Sequence, residues 1–109
     1  MVRPVRFGMN AQTAVDNFYQ NKETTTGTSE QVKALAEFEH FVAALIANGV
    51  NVHVLEDTTE PHTPDSIFPN NWISMHSDGT VVLYPMKAEN RRFERREEIF
   101  QILKNWGFT

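Results

Sequence analysis

The sequence predicts an α/β fold assembled from repeated units, and three observations carry that prediction. An apolar stripe at helical spacing runs through an Asn-Gly stop straight into a segment of alternating valines. A Ser-Asp-Gly turn joins two runs rich in β-forming residues. A second helical stripe ends at Gly107, about 58 residues after the glycine that ends the first, a spacing typical of repeated supersecondary units.

The elements follow in chain order. Residues 2–10 read as a strand with Val5 and Phe7 on one face and Arg6 and Gly8 on the other. From Ala11 to Thr28 no period can bury a face, which predicts a long surface loop. Thr28-Ser29-Glu30-Gln31 is a capping box, in which the Thr28 hydroxyl serves the Gln31 amide and the Gln31 side chain reaches back to Thr28. The helix it opens carries Val32, Leu35, Phe38, Val42, Leu45 and Ile46 on one stripe and stops at Asn48-Gly49. Val50, Val52 and Val54 then alternate with Asn51, His53 and Leu55 as a strand. Pro61 and Pro64 make Glu56 to Asn71 a loop. Trp72–His76 and Thr80–Tyr84 flank Ser77-Asp78-Gly79 as a hairpin, and Asn90 caps a helix through Trp106 with Phe93, Phe100, Leu103 and Trp106 inward. The chain stops two residues after Gly107, where the first unit has a strand, so a further strand is expected beyond Thr109.

Composition narrows the function classes. The 109 residues are 40% hydrophobic with eight Phe and two Trp, enough for one core and unlike a disordered chain. Ten Lys and Arg face fourteen acids, a net charge of -4, which gives no general reason to bind nucleic acid or anionic lipid. No apolar run approaches the roughly 20 residues of a membrane span, and Met1-Val2-Arg3-Pro4-Val5-Arg6 lacks a signal-peptide stretch, so the expected compartment is the cytoplasm. Cysteine is absent, which excludes disulfides, thiolate zinc sites and a cysteine nucleophile within this chain.

Three ordered motifs carry more. Pro64-Asp65-Ser66-Ile67-Phe68-Pro69-Asn70-Asn71-Trp72, then Asp78-Gly79-Thr80-Val81-Val82-Leu83-Tyr84-Pro85-Met86, then Asn90-Arg91-Arg92-Phe93-Glu94-Arg95-Arg96 together resemble the amidinotransferase or guanidino-modifying superfamily, the pentein fold. The likeness is closest to its citrulline-utilisation hydrolase branch, and the segment from Arg3-Pro4 to Asn10 fits the way those proteins begin. The resemblance implies a fan of five ββαβ units around a central pocket. This chain would be the N-terminal part of that single domain, residues 1–109, with units at about 1–57 and 58–109. It also implies a cysteine nucleophile and an acid/base histidine, both beyond Thr109.

Such enzymes attack the central carbon of a guanidinium or ureido group with a thiolate and hold the planar group in a fork of polar side chains. Asp65 and Asn71 are the candidates here, Phe68 is an apolar wall, and Asn71 stands where relatives carry a carboxylate. An amide both donates and accepts, which suits a neutral ureido oxygen and favours citrulline over arginine. Arg91 and Arg92 open the second helix, and Arg92 is preferred as the fork on the substrate α-carboxylate. The competing reading makes Asp65, Asn70 and Asn71 turn formers and Arg91, Arg92, Arg95 and Arg96 a solvated face paired with Glu94, Glu97 and Glu98.

His40, His53, His62 and His76 have no metal-ligand spacing, so neither metal nor cofactor is expected. Ser74-His76-Asp78 has the letters of a triad, but neighbours on one strand cannot form the relay; Met75 and Met86 read as core filler. The resulting expectation is part of a cysteine-dependent hydrolase acting on a small citrulline- or arginine-like amino acid. An amidinotransferase and a non-catalytic α/β binding module are the alternatives. The open sheet edge of a partial fan predicts self-association.

Overall fold

The computed structural model describes residues 1–8, 10–13 and 27–108, a mixed α/β arrangement of two small sheets and helices. In chain order these are β1 (Val2–Arg3), α1 (Gly27–Ala47), β2 (Leu55–Glu56), a 3₁₀ turn (Pro69–Asn71), β3 (Ile73–Met75), β4 (Val81–Leu83), α2 (Glu89–Arg92) and α3 (Glu97–Asn105). Most of the expected loop from Ala11 to Thr28 lies outside the described residues, as does the Thr28 side chain of the expected capping box. The Gln31 amide serves the N-terminal segment instead: its Oε1 accepts from the Phe7 amide and its Nε2 donates to the Pro4 carbonyl at 2.9 Å.

The first sheet is shorter than the sequence predicts. β1 pairs with β2 in parallel, Val2 opposite Leu55 and Arg3 opposite Glu56. Flanking bonds run from Leu55 to the Met1 carbonyl (2.8 Å) and from Asp57 to the Arg3 carbonyl (3.2 Å). Pro4 has no amide proton to continue a ladder, so the strand expected over residues 2–10 ends at Arg3. The alternating valines 50, 52 and 54 likewise precede the paired residues, because alternation yields a strand only where a partner lies alongside. Arg3 bonds both Glu39 and Glu56, tying β1 to α1 and β2.

The hairpin lies where its turn residues put it. β3 and β4 are antiparallel, with Ile73 opposite Leu83 and Met75 opposite Val81, and Trp72 closes the far end by accepting from the Tyr84 amide at 2.8 Å. Trp72, 2% exposed, is the largest buried side chain, and with Ile73, Ile99 and Leu103 it forms the core. Leu55, Met86, Phe100 and Trp106 pack against that cluster, whereas Met75 is exposed.

The single helix expected from Asn90 to Trp106 is broken into α2 and α3. Arg96 is extended (φ -83°, ψ 135°), and on the near side of the interruption Glu94 is buried and Phe93 55% exposed. Ile99, on no expected stripe, is buried in the second segment together with the expected Leu103. Asn90 does not cap: Ala88 stands at that position and the Asn90 side chain reaches elsewhere.

Both long helices end in the same motif. Val50 donates to Leu45 and Gly49 to Ile46, each at 3.0 Å; Phe108 donates to Leu103 and Gly107 to Lys104, again at 3.0 Å. These are Schellman caps, and Gly49 (φ 82°) and Gly107 (φ 92°) take the left-handed conformation that a Cβ would strain. Of the stripe expected on α1, Val42 is buried, Leu35, Phe38 and Leu45 are half-buried, and Val32 and Ile46 are exposed. No described helix is long and apolar enough to cross a membrane.

Candidate functional site

The loop between β2 and β3 is organised by its own short-range bonds. Asp57 accepts from the buried hydroxyls of Thr63 (2.9 Å) and Ser66 (2.6 Å), and successive turns bond Ser66 to Thr63, Phe68 to Asp65, Asn71 to Phe68 and Trp72 to Pro69. Buried Trp72 anchors its end in the core. The backbone that carries Asp65, Phe68 and Asn71 is therefore held by these turns and by the Trp72 anchor.

Arg91 clamps this loop from below. Arg91 is 8% exposed, and its guanidinium grips Glu94 with two bonds, Nε to Oε1 at 3.0 Å and Nη2 to Oε2 at 3.1 Å. Nη1 donates to Asn71 Oδ1 at 2.9 Å, and Nη2 also reaches the carbonyls of Phe68 (3.3 Å) and Asp65 (3.4 Å). Glu94 is itself buried, and that burial pushes its carboxyl above the ordinary glutamate range, an effect opposed by the Arg91 donors and aided by the negative charges of Asp65 and Asp57. Glu94 follows Arg91 by one turn, its amide bonded to the Arg91 carbonyl at 3.2 Å, and this i,i+3 spacing sets the two side chains on one face.

The Asp65 carboxylate joins this clamp to the N-terminal segment. Its Oδ2 accepts from Asn10 Nδ2 at 2.7 Å and Thr13 Oγ1 at 3.2 Å, and Arg91 Nε lies 3.9 Å from it. Asn10 and Asn90 exchange reciprocal amide bonds, 3.1 Å and 2.8 Å. One network thus joins residues near positions 10, 65 and 90.

Of the four residues singled out in the sequence, Asp65, Phe68 and Asn71 lie on one loop clamped by Arg91. The exposed Asn71 has Oδ1 committed to Arg91, which leaves its Nδ2 as the outward group. Phe68 is half-exposed and lines an open groove with Phe7, Phe38 and Phe41 of the N-terminal segment and α1. Arg92 is exposed, and its Nε and Nη2 donate to the carbonyls of Met86 (3.0 Å) and Lys87 (3.1 Å). Arg91 is the arginine that meets the loop. Asn10, Thr13, Asn90 and Glu94 had no sequence signal as site residues; the i,i+3 spacing of Arg91 and Glu94 announced a pair but not its burial.

Among the described residues the remaining polar groups form no second centre. Ser74 Oγ does bond His76 Nε2 (3.1 Å) and Tyr84 Oη (3.0 Å), but Asp78 is spent on the Thr80 amide at 2.9 Å and orients no imidazole. His53 stacks on Trp106 with ring centroids 4.6 Å apart, and His62 donates to the Arg6 carbonyl. Among the described residues no three His, Cys, Asp or Glu side chains are grouped to hold a metal.

Set beside known proteins, residues 3–109 match the family model described as N,N dimethylarginine dimethylhydrolase, eukaryotic. No curated protein and no solved structure matches the chain.

Proposed function

The chain belongs to the N,N dimethylarginine dimethylhydrolase family, and from that premise we propose that it supplies the substrate-gripping part of a guanidino- or ureido-group hydrolase acting on a citrulline-like amino acid. The observation that supports this reading is the Arg91 clamp, which commits Asn71 Oδ1 and the Asp65 and Phe68 carbonyls to one guanidinium and leaves a carboxylate and an amide N–H on the same fixed loop. Asp65 accepts from the N–H groups of the planar reacting group. Asn71 donates to its oxygen, Phe68 flanks the alkyl chain, and the exposed Arg92, with Nε and Nη2 on the Met86 and Lys87 carbonyls, meets the α-carboxylate through Nη1.

An outward donor at Asn71 favours a neutral ureido oxygen over a guanidinium, whose nitrogens offer no acceptor. The nucleophile is proposed to be a cysteine elsewhere in a longer pentein-fold protein, since this chain has none. Its thiolate forms a bond to the ureido carbon, the carbon–nitrogen bond breaks as a general acid protonates the departing nitrogen, and water cleaves the resulting S-carbamoyl thiocarbamate, freeing the thiolate and a carbamate that decomposes to carbon dioxide and an amine.

The test incubates the full-length protein with citrulline, arginine and N,N-dimethylarginine and measures ammonia, ornithine and dimethylamine. The expected result is fastest turnover of citrulline, abolished by iodoacetamide, with no turnover by residues 1–109 alone. Turnover confined to N,N-dimethylarginine overturns the ureido assignment, and no turnover of any of the three overturns the proposal.

A further inference from the structure

We propose that Asn10 is a positioning residue that aims the Asp65 carboxylate, an inference that rests on Asp65 gripping the reacting group. Asn10 is 1% exposed, and its side-chain amide is fully used. Nδ2 donates to Asp65 Oδ2 (2.7 Å) and Asn90 Oδ1 (3.1 Å), while Oδ1 accepts from Asn90 Nδ2 (2.8 Å) and the Gln12 amide (3.0 Å). With two donors and two acceptor positions all occupied, the amide has one orientation, because a flip would set its oxygen against a carboxylate and its NH₂ against two donors.

That orientation decides which carboxylate oxygen is available. Asn10 and Thr13 both donate to Oδ2, and Oδ1 has no hydrogen-bond partner among the described residues. The Arg91 guanidinium is the competitor: Nε lies 3.9 Å from Oδ2, and a carboxylate released from Asn10 is free to swing onto that cation in a closer pair. Asn10 holds Asp65 off Arg91 and leaves Oδ1 directed at a ligand N–H. Asn90 completes the support, for its amide pair with Asn10 links this aim to the start of α2, next to Arg91. The same short segment thereby orients both polar groups of the loop, Asp65 through Asn90 and Asn10, and Asn71 through Arg91.

A double-mutant cycle in the full-length protein separates positioning from mere support. Asn10→Ala is expected to lower kcat/KM by about 30- to 100-fold, the scale of a reacting group misplaced by an ångström. In the Asp65→Asn background the same substitution should lower it less than about 3-fold. Equal losses in the two backgrounds, or no loss in either, overturn the proposal. Should Asn10→Ala fail to fold, the milder Thr13→Val, which removes the second donor to Oδ2, runs the same cycle. A readout independent of turnover is the exchange of the Asn10 side-chain amide protons by NMR, which should be slow in the wild type and at least about 10-fold faster in Asp65→Ala. Unchanged exchange overturns the positioning even in an active enzyme. Accelerated exchange in a protein without turnover sustains the positioning and overturns only the functional reading on which it rests.

Discussion

Asn71 and Glu94 show how a buried arginine sets the chemistry of residues around it. Replacing Asn71 by Asp keeps an oxygen for Arg91 Nη1 but turns the outward donor into an acceptor. Against a ureido oxygen, the lost hydrogen bond and new repulsion should remove about 2 to 4 kcal/mol of transition-state binding, roughly 30- to 1000-fold in kcat/KM for citrulline. Arginine should lose much less, and Arg92→Ala should weaken both substrates alike; an unchanged ratio of the two activities in a folded Asn71→Asp variant rejects the donor role. Removing the clamp is harsher. Arg91→Leu strands Glu94 as a buried carboxylate, and urea midpoints should register a loss of about 3 to 5 kcal/mol. The pH profile adds a sign. Because the folded Glu94 carboxyl is raised above its ordinary value of 4.5, its stabilising contribution is complete below 4.5 and is lost as pH rises through the raised value. Stability of the wild type relative to Glu94→Gln should therefore fall over that interval and level off above it, as read by urea midpoints across the pH series.

The elements were legible wherever a local signal decides them. Asn48-Gly49 and Trp106-Gly107 do end helices in left-handed turns, and Asp78-Gly79 does turn the hairpin, because these conformations depend on one or two residues. Strand lengths were not legible: valines 50, 52 and 54 alternate faithfully, yet pairing requires a neighbour and β1 offers only two residues. The break between α2 and α3 was hidden for another reason. Arg91 to Glu98 is charged almost throughout, so no apolar period fixes a helical phase, and the burial of Glu94 arises from a partner network that spacing alone does not reveal. Asp65 and Asn71 were legible through their motif, whereas Asn10 and Asn90 read as a strand end and a helix cap. The break has a test at this scale. Ile99→Ala should cost about 2 to 4 kcal/mol, while Phe93→Ala, which an unbroken helix would place inward, should stay within about 0.5 kcal/mol. Comparable losses at the two sites would indicate one continuous helix.

Over the whole molecule, apolar surface and site assembly pull in different directions. Val32, Phe41 and Ile46 of α1 are more than half exposed, and α1 contributes no residue to the core cluster around Trp72. Residues 1–109 alone are accordingly proposed to self-associate, and light scattering should show mass rising with concentration; a compact monomer at high concentration would contradict it. The site, by contrast, is stitched across the chain. The Asn10 bonds to Asp65 and Asn90 join positions 55 and 80 residues apart. Closing a flexible loop of about 80 residues carries an entropic penalty near 4 kcal/mol, against roughly 1 kcal/mol for each neutral hydrogen bond, so the amide pair cannot draw these segments together. It forms only once hydrophobic collapse around Trp72 has already brought them close. Site assembly is consequently a late event in folding and an early casualty of partial unfolding, and a peptide spanning only residues 57–96 would keep the turns of the loop without the aim of its carboxylate.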